Sequence, residues 1–205
     1  KWGTGEIHNN GTHEIDVCRW ALGVDYPISV SSTGGRLHYK DDDWEYYDTQ
    51  LVNYKFEDDK VINWEGVSCN GYTPNKSRGV VIRGTKGSIF LNRRNDILYD
   101  LEGNKLKREK ETEQYAATDS KDLTGFDDVS INHFRNFVNA IRIGDELNSP
   151  IVDAGVSTQL CHLGNIAQES EITLKVDPKN GKPINSDLAE KLWKREYEPG
   201  WEPKI

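Results

Sequence analysis

Residues Asn9 to Trp20 read N-N-G-T-H-E-I-D-V-C-R-W, and the spacing of the apolar side chains that starts here decides how the chain begins to fold. Ile15, Cys18 and Leu22 recur at helical intervals with Val17 and Ala21 beside them, which predicts an amphipathic helix over roughly 12–22. Gly23 is its natural stop. Thr12 or Asn10 supplies a short side-chain oxygen to cap the first turn. His13 is then expected in that turn, where the positive end of the helix disfavours an imidazolium and keeps a neutral base available. From spacing alone, an exposed first-turn histidine is more often only a solvated polar residue.

Outward from this helix the pattern changes to strands. Ile28 to Thr33 reads as extended, with Gly34-Gly35 as a bulge or bend before Arg36 to Tyr39. Gln50, Val52, Tyr54 and Phe56 alternate with Leu51, Asn53 and Lys55, and Glu57 to Lys60 turns the chain into Val61 to Ser68. Two more pairs follow: Gly79 to Arg83 with Ser88 to Leu91, and Ile97 to Leu101 with Lys105 to Arg108. Short turns impose antiparallel pairing. Polar residues Glu109 to Asp128 read as a mobile loop, and helices follow from about Ser130 to Gly144 and Asp153 to Glu169. A late strand at Ile172 to Val176 and a short helix at Asp187 to Lys194 complete the pattern. The predicted class is α+β, a large open, mostly antiparallel sheet with helices packed on one face.

Composition narrows the functions. The 205 residues carry 26 basic and 34 acidic side chains, a net charge of -8, which argues against a phosphate-binding surface for nucleic acid. No apolar run is long enough to span a membrane. Cys18, Cys69 and Cys161 lie far apart and match no zinc or disulfide framework, so free thiols and a cytoplasmic setting are expected. His8, His13, Glu14 and Asp16 lack the second histidine of a helical zinc motif, and no metal is expected. Gly3-Thr4-Gly5 does not open a dinucleotide fingerprint, because His8 stands at the sixth position and no strand precedes it. The chain has no methionine and opens abruptly at Lys1, so it reads as a domain cut from a longer protein.

Three blocks have a familiar order. They are Gly11-x-His13-x-x-Asp16 before Trp20-Ala21-Leu22-Gly23, then Gly84-Thr85-x-Gly87-Ser88, then Phe134-x-x-Phe137-x-x-Ala140-Ile141 leading to Ser157-x-x-Leu160-Cys161-His162-Leu163-Gly164-Asn165-Ile166-Ala167. Together they resemble the C-terminal domain of the Gfo/Idh/MocA family, the glucose–fructose oxidoreductase and inositol dehydrogenase relatives, over nearly the whole chain. The resemblance implies that residues 1–205 form one substrate-binding and oligomerisation domain. It also implies an N-terminal Rossmann domain outside this chain that binds NAD or NADP, so this fragment alone is expected to bind no cofactor. The implied partners are a sugar-like small molecule, that Rossmann domain, and further copies of the chain through the sheet face.

In the family a D-x-x-x-H pattern supplies a catalytic aspartate and histidine. His13 matches the histidine, whereas Asn9 stands at the aspartate position. Asparagine orients a hydroxyl or an imidazole but holds no negative charge. The family's cofactor-side lysine would lie on the absent domain. The implied reaction is hydride transfer from a sugar or polyol carbon with His13 exchanging the hydroxyl proton. Asp16, Tyr72, His162 and Asn165 are the candidate substrate contacts. For Asp16 an ion pair with Arg19 explains the sequence equally well; for His162 and Asn165, satisfaction by the sheet does. An NAD-dependent glycosidase of the same family and a non-catalytic sugar-binding or scaffold module are the competing functions.

Overall fold

The computed structural model describes residues 4–72, 78–92, 95–110, 114–115 and 126–202. They fall into two compact units, residues 1–72 with 155–205, and residues 73–154.

In the first unit a π-turn over Ile7–Gly11 runs directly into helix α1 (Thr12–Leu22). Strands β1 (Ser29–Gly35), β2 (Thr49–Lys55) and β3 (Val61–Val67) follow, then helix α3 (Ile151–Ser170), β10 (Leu174–Lys175) and α4 (Asp187–Trp193). The strands form one antiparallel sheet in the order β10-β1-β2-β3. Alternation sets its faces: Gln50, Val52 and Tyr54 are buried while Leu51, Asn53 and Lys55 are exposed. Ile7 and Ile15 from the N-terminal helical segment, and Leu160, Leu163 and Ile166 from α3, pack with Val30, Val52, Tyr54 and Trp64 into one core. Each such aliphatic side chain contributes about 1.5–3 kcal/mol on burial.

Two glycines let helices approach the sheet closely. A Cβ on Gly11 would stand 2.7 Å from the Trp64 indole, and one on Gly164 would stand 2.9 Å from the Tyr54 hydroxyl. The Tyr54 hydroxyl donates to the Leu160 carbonyl at 2.8 Å, tying α3 to β2.

The second unit holds β4 (Val80–Gly84), β5 (Gly87–Asn92), β6 (Asn95–Tyr99) and β7 (Lys105–Lys110) as an antiparallel meander. It also holds the short ribbon of β8 (Gln114–Tyr115) with β9 (Phe126–Asp127), and α2 (Asp128–Ile143).

The α+β class and antiparallel pairing agree with the sequence; among the described residues, however, the strands hydrogen-bond into two four-stranded sheets and the two-stranded ribbon. Three local expectations change. Helix α1 spans Thr12–Leu22 as the spacing predicts, but an unexpected π-turn over Ile7–Gly11 precedes it, and Ile7, Gly11, Ile15 and Arg19 form one buried row at four-residue intervals. No side chain caps α1 at Gly11, since the backbone is already helical there. Gly34 and Gly35 continue β1 opposite Gln50 and Thr49, where a Cβ on Gly34 would meet the Thr49 carbonyl at 2.1 Å. Most of the stretch 109–128, expected as a mobile loop, lies outside the described residues.

Gly23 ends α1 as predicted, in the left-handed region at φ 60°. Its amide donates to Trp20 and that of Val24 to Arg19, the paired bonds of a Schellman stop. Among the described residues no helix is long and apolar enough to cross a membrane.

Candidate functional site

α1 and α3 meet through polar side chains whose order runs in opposite chain directions. His8 lies against His162, Thr12 accepts from the Cys161 thiol at 3.6 Å, and Asp16 accepts from the Ser157 hydroxyl at 2.5 Å. Ser157 in turn accepts from Arg19 Nε at 2.8 Å. Arg19 is 4% exposed and also donates to the Val24 carbonyl and, at 2.9 Å, to Asp25. Asp16, a candidate substrate contact, is therefore engaged with Ser157 in a polar clamp between the helices.

His13 and Asn9 sit on the exposed side of the same helical segment. Among the described residues the His13 ring has no hydrogen-bond partner. His13 stands in the first turn of α1, which the π-turn over Ile7–Gly11 precedes. The Asn9 amide donates to Glu6 Oε2 at 3.0 Å, and Asn10 donates to the other Glu6 oxygen. A carboxylate thus stands one turn before Asn9, on Glu6, which the sequence did not single out. The π-turn that carries Asn9 is a rare geometry that recurs at functional sites. Trp20, further along α1, is 76% exposed.

His162 and Asn165 line a concavity of about 360 Å³. Tyr46 and Tyr47 contribute aromatic rings, Glu45 and Glu169 carboxylates, Ile166 and Leu192 apolar surface, and Thr4 closes the lining. The Tyr47 hydroxyl donates to Glu169 Oε2 at 3.0 Å. Burial, that hydrogen bond and the Glu169 charge push the Tyr47 phenol well above its ordinary range. The two tyrosine rings stand nearly perpendicular, 6.0 Å apart.

Asn165 is held from both ends. Its Nδ2 donates to the Thr4 carbonyl at 2.7 Å, and its Oδ1 accepts from Gln50 Nε2 at 3.3 Å. The His8 and His162 rings lie 4.2 Å apart at 57°. His8 Nδ1 is 3.2 Å from the Thr4 carbonyl, and Nε2 is buried with no partner among the described residues. Burial lowers the His8 pKa to about 4, helped by repulsion from His162 and opposed by the Thr4 carbonyl. Burial also lowers that of His162.

The loop that delivers Glu45 to Tyr47 is organised by Asp48, 3% exposed, which accepts from the amides of Leu37, His38 and Tyr39 and from the Thr49 hydroxyl. Burial alone would raise its pKa; the three amides and the hydroxyl outweigh it and pull the carboxyl far below its ordinary range.

The concavity brings together two of the six sequence candidates, His162 and Asn165. Tyr72 stands apart in the loop after β3, 80% exposed, its amide on Asn70 Oδ1. Glu169 was legible by spacing, since 162, 165, 166 and 169 share one helical stripe. Tyr46 and Tyr47 carry no spacing signal that separates lining from packing.

The family described as "Oxidoreductase family, C-terminal alpha/beta domain" matches residues 1–171. No curated protein sequence matches the chain. Among solved structures, it is similar to an Agrobacterium radiobacter oxidoreductase in complex with NAD+, L-tartaric acid and magnesium, at 15% identity and TM-score 0.62 over 82% of this chain and 48% of that one. A Klebsiella pneumoniae protein assigned to the oxidoreductases gives 14% identity and TM-score 0.59 over 92% and 53%. The WlbA dehydrogenase from Bordetella pertussis, in complex with NADH and UDP-GlcNAcA, gives 12% and 0.51 over 88% and 46%. At these identities the likeness establishes the fold. The chain spans about half the length of each of these structures.

Proposed function

From a chain that belongs to this oxidoreductase family as its C-terminal alpha/beta domain, we propose the substrate-side half of an NAD(P)-dependent enzyme that oxidises or reduces a sugar or polyol. The observation that carries the proposal is the exposed edge of α1, where His13 is solvent-facing four residues from Asn9 and without a competing partner among the described residues. An imidazole placed there is free to approach a substrate hydroxyl within about 2.6–3.2 Å and exchange its proton. In this reading Asn9, its amide held by Glu6, offers Oδ1 to orient a neighbouring hydroxyl. His162 and Asn165 contribute polar contacts from the concavity.

The dinucleotide supplies the hydride chemistry when bound, and its seat lies on the half outside this chain. Among the described residues the concavity is lined by two glutamates and by side chains from within α3 instead of amides at a helix start, which does not suit a pyrophosphate. Two solved relatives were captured with NAD+ or NADH, which supports a nicotinamide cofactor for the whole protein. Leu51 and Val61, exposed on the outer sheet face, support a homo-oligomer through that face.

The test uses the protein with its N-terminal half, NAD+ or NADP+, and a panel of sugars and polyols, following nicotinamide absorbance. His13→Ala is expected to lower turnover by about 10²–10⁴ while sugar binding persists. Unchanged turnover would sink the assignment of His13.

A further inference from the structure

The helical segment that carries Asn9 and His13 turns one row of side chains outward, and the two ends of that row differ in chemistry. Asn9, His13 and Trp20 are exposed, and Val17, between the last two, is half-buried. Asp16 and Arg19 are engaged with Ser157, and Ile15 lies in the core. His13 and Trp20 stand seven residues apart within α1, so Trp20 lies about 10.5 Å further along the axis and only about 20° round from His13. Their side chains lean the same way, toward the helix start, which preserves that spacing. The clamp to Ser157 and the close approach of Gly11 to Trp64 fix α1 on the sheet, so the row is preset. The helix stops at Gly23, where an added Cβ would meet nothing within 4 Å, and the indole stands beside this open end.

Trp20 is 76% exposed. A lone exposed apolar residue is ordinary; what sets Trp20 apart is its alignment with His13. One indole is too little to seat a protein. A stable interface buries about 800 Å² on each partner, whereas a tryptophan offers about 250 Å² at most. Its flat apolar face does suit the C–H side of a sugar ring, which carries its hydroxyls around the rim. The amide of Asn9 and the imidazole of His13, at the other end, suit hydroxyl groups. The separation sets the size of the ligand. A single hexose ring is too short to touch both ends of the row, and two linked rings span it.

Building on the substrate-side reading above, we propose that α1 carries a second sugar subsite: Trp20 stacks against the second ring of a disaccharide or glycoside whose first ring meets Asn9 and His13. Val17 is the apolar floor between them.

The experiment uses the protein with its N-terminal half and NAD+ or NADP+. It compares kcat/KM for glucose and galactose with that for maltose, cellobiose and lactose. The best disaccharide is expected to exceed its hexose by about tenfold, through a lower KM, the gain from covering one face of the indole. Trp20→Ala should bring the two within about threefold of each other. Trp20→Phe, which keeps a smaller aromatic face, should retain part of the preference. Alanine is a good helix former at an exposed helical position, so the variant is expected to fold, and urea unfolding checks this. In a second measurement, the indole Nε1–H resonance of Trp20, assigned by its loss in Trp20→Phe, should shift with disaccharides and not with hexoses.

A hexose preferred over its disaccharides overturns the proposal, as does a ratio that Trp20→Ala leaves unchanged. A loss equal for both sizes, the mark of a merely structural role, does the same. So does an indole resonance that no disaccharide moves, the result expected where another part of the protein covers Trp20. That readout needs no turnover and decides the subsite even where no sugar is oxidised. The role of His13 is read separately: His13→Ala should lower turnover of both sizes alike, so failure of the subsite and failure of the substrate-side reading are told apart.

Discussion

Gly164→Ala is the substitution for which the fold makes the most specific demand. An added Cβ would stand 2.8 Å from Ile7 Cδ1, 2.9 Å from the Tyr54 hydroxyl and 3.2 Å from Val52 Cγ1. None of the three has room to withdraw: Ile7 and Val52 are 0% exposed and Tyr54 1%. Overpacking of this kind costs about 1–3 kcal/mol. If the phenol moves, its bond to the Leu160 carbonyl is lost as well, for about 1 kcal/mol more. Against this, alanine gains up to about 1 kcal/mol over glycine as a helix former. The net expectation is a loss of about 1–3 kcal/mol. Gly155, on the same helix, has nothing within 4 Å of its would-be Cβ, so Gly155→Ala keeps only the favourable part and should stabilise by up to about 1 kcal/mol. Urea unfolding followed by tryptophan fluorescence measures both. Two stabilising alanines would refute the close approach of α3 to the sheet.

Three further outcomes follow from the polar groups. His8 is held neutral in the fold with a pKa of about 4 against 6.5 when free, so the unfolded chain takes up a proton that the native chain refuses. Stability should therefore fall as pH drops from about 6.5 to 4, by at most about 3.4 kcal/mol at about 1.4 kcal/mol per pH unit. Partial exposure of the ring reduces that to about 1–2 kcal/mol. Urea unfolding at pH 7 and 4.5 tests this, and an identical pH dependence in His8→Gln would remove the cause assigned. Ser157→Ala deprives buried Arg19 Nε of its acceptor and should cost about 1–3 kcal/mol by the same unfolding assay, with no change if the clamp is idle. Asp48→Asn replaces one acceptor oxygen with an amide donor facing the Leu37, His38 and Tyr39 amides. Their hydrogen exchange should speed up, whereas unchanged protection would show that the carboxylate does not order the loop.

What the sequence revealed and what it hid separate along a physical line. Alternation of Gln50, Val52 and Tyr54 with Leu51, Asn53 and Lys55 is local, and it gave the buried face of β2 correctly. Gly23 ends α1 for an equally local reason, a left-handed residue that glycine adopts freely. The π-turn ahead of α1 was hidden because Asn9, Asn10 and Gly11 are poor helix formers and read as a cap. What keeps them helical is distant in sequence: Ile7 buried in the core and Gly11 pressed against Trp64. Gly34 misled in the same way, since the contact that requires a glycine comes from Thr49 across the sheet. In the site, His162 and Asn165 were legible from their spacing on one helix. Glu169 continued that spacing unread, and the Glu45–Tyr47 wall depends on a loop shaped by Asp48, which no local pattern encodes.

The histidines divide by environment into two kinds of chemical use. His8 and His162 are packed ring against ring, both shifted by burial toward the neutral form, so they resist taking up a proton near neutral pH. Groups of that kind recognise a ligand through fixed hydrogen-bonding capacity. His13 stands in solvent on the outer side of α1, and a proton relay needs that access to a reacting hydroxyl and then to water. The clamp of Asp16, Ser157 and Arg19, together with the glycines at 11 and 164, fixes α1 and α3 on the sheet. On the proposed function, recognition on one helix and proton transfer on the other can change independently: a substitution at His162 or Asn165 should alter which sugar binds, and one at His13 how fast it turns over.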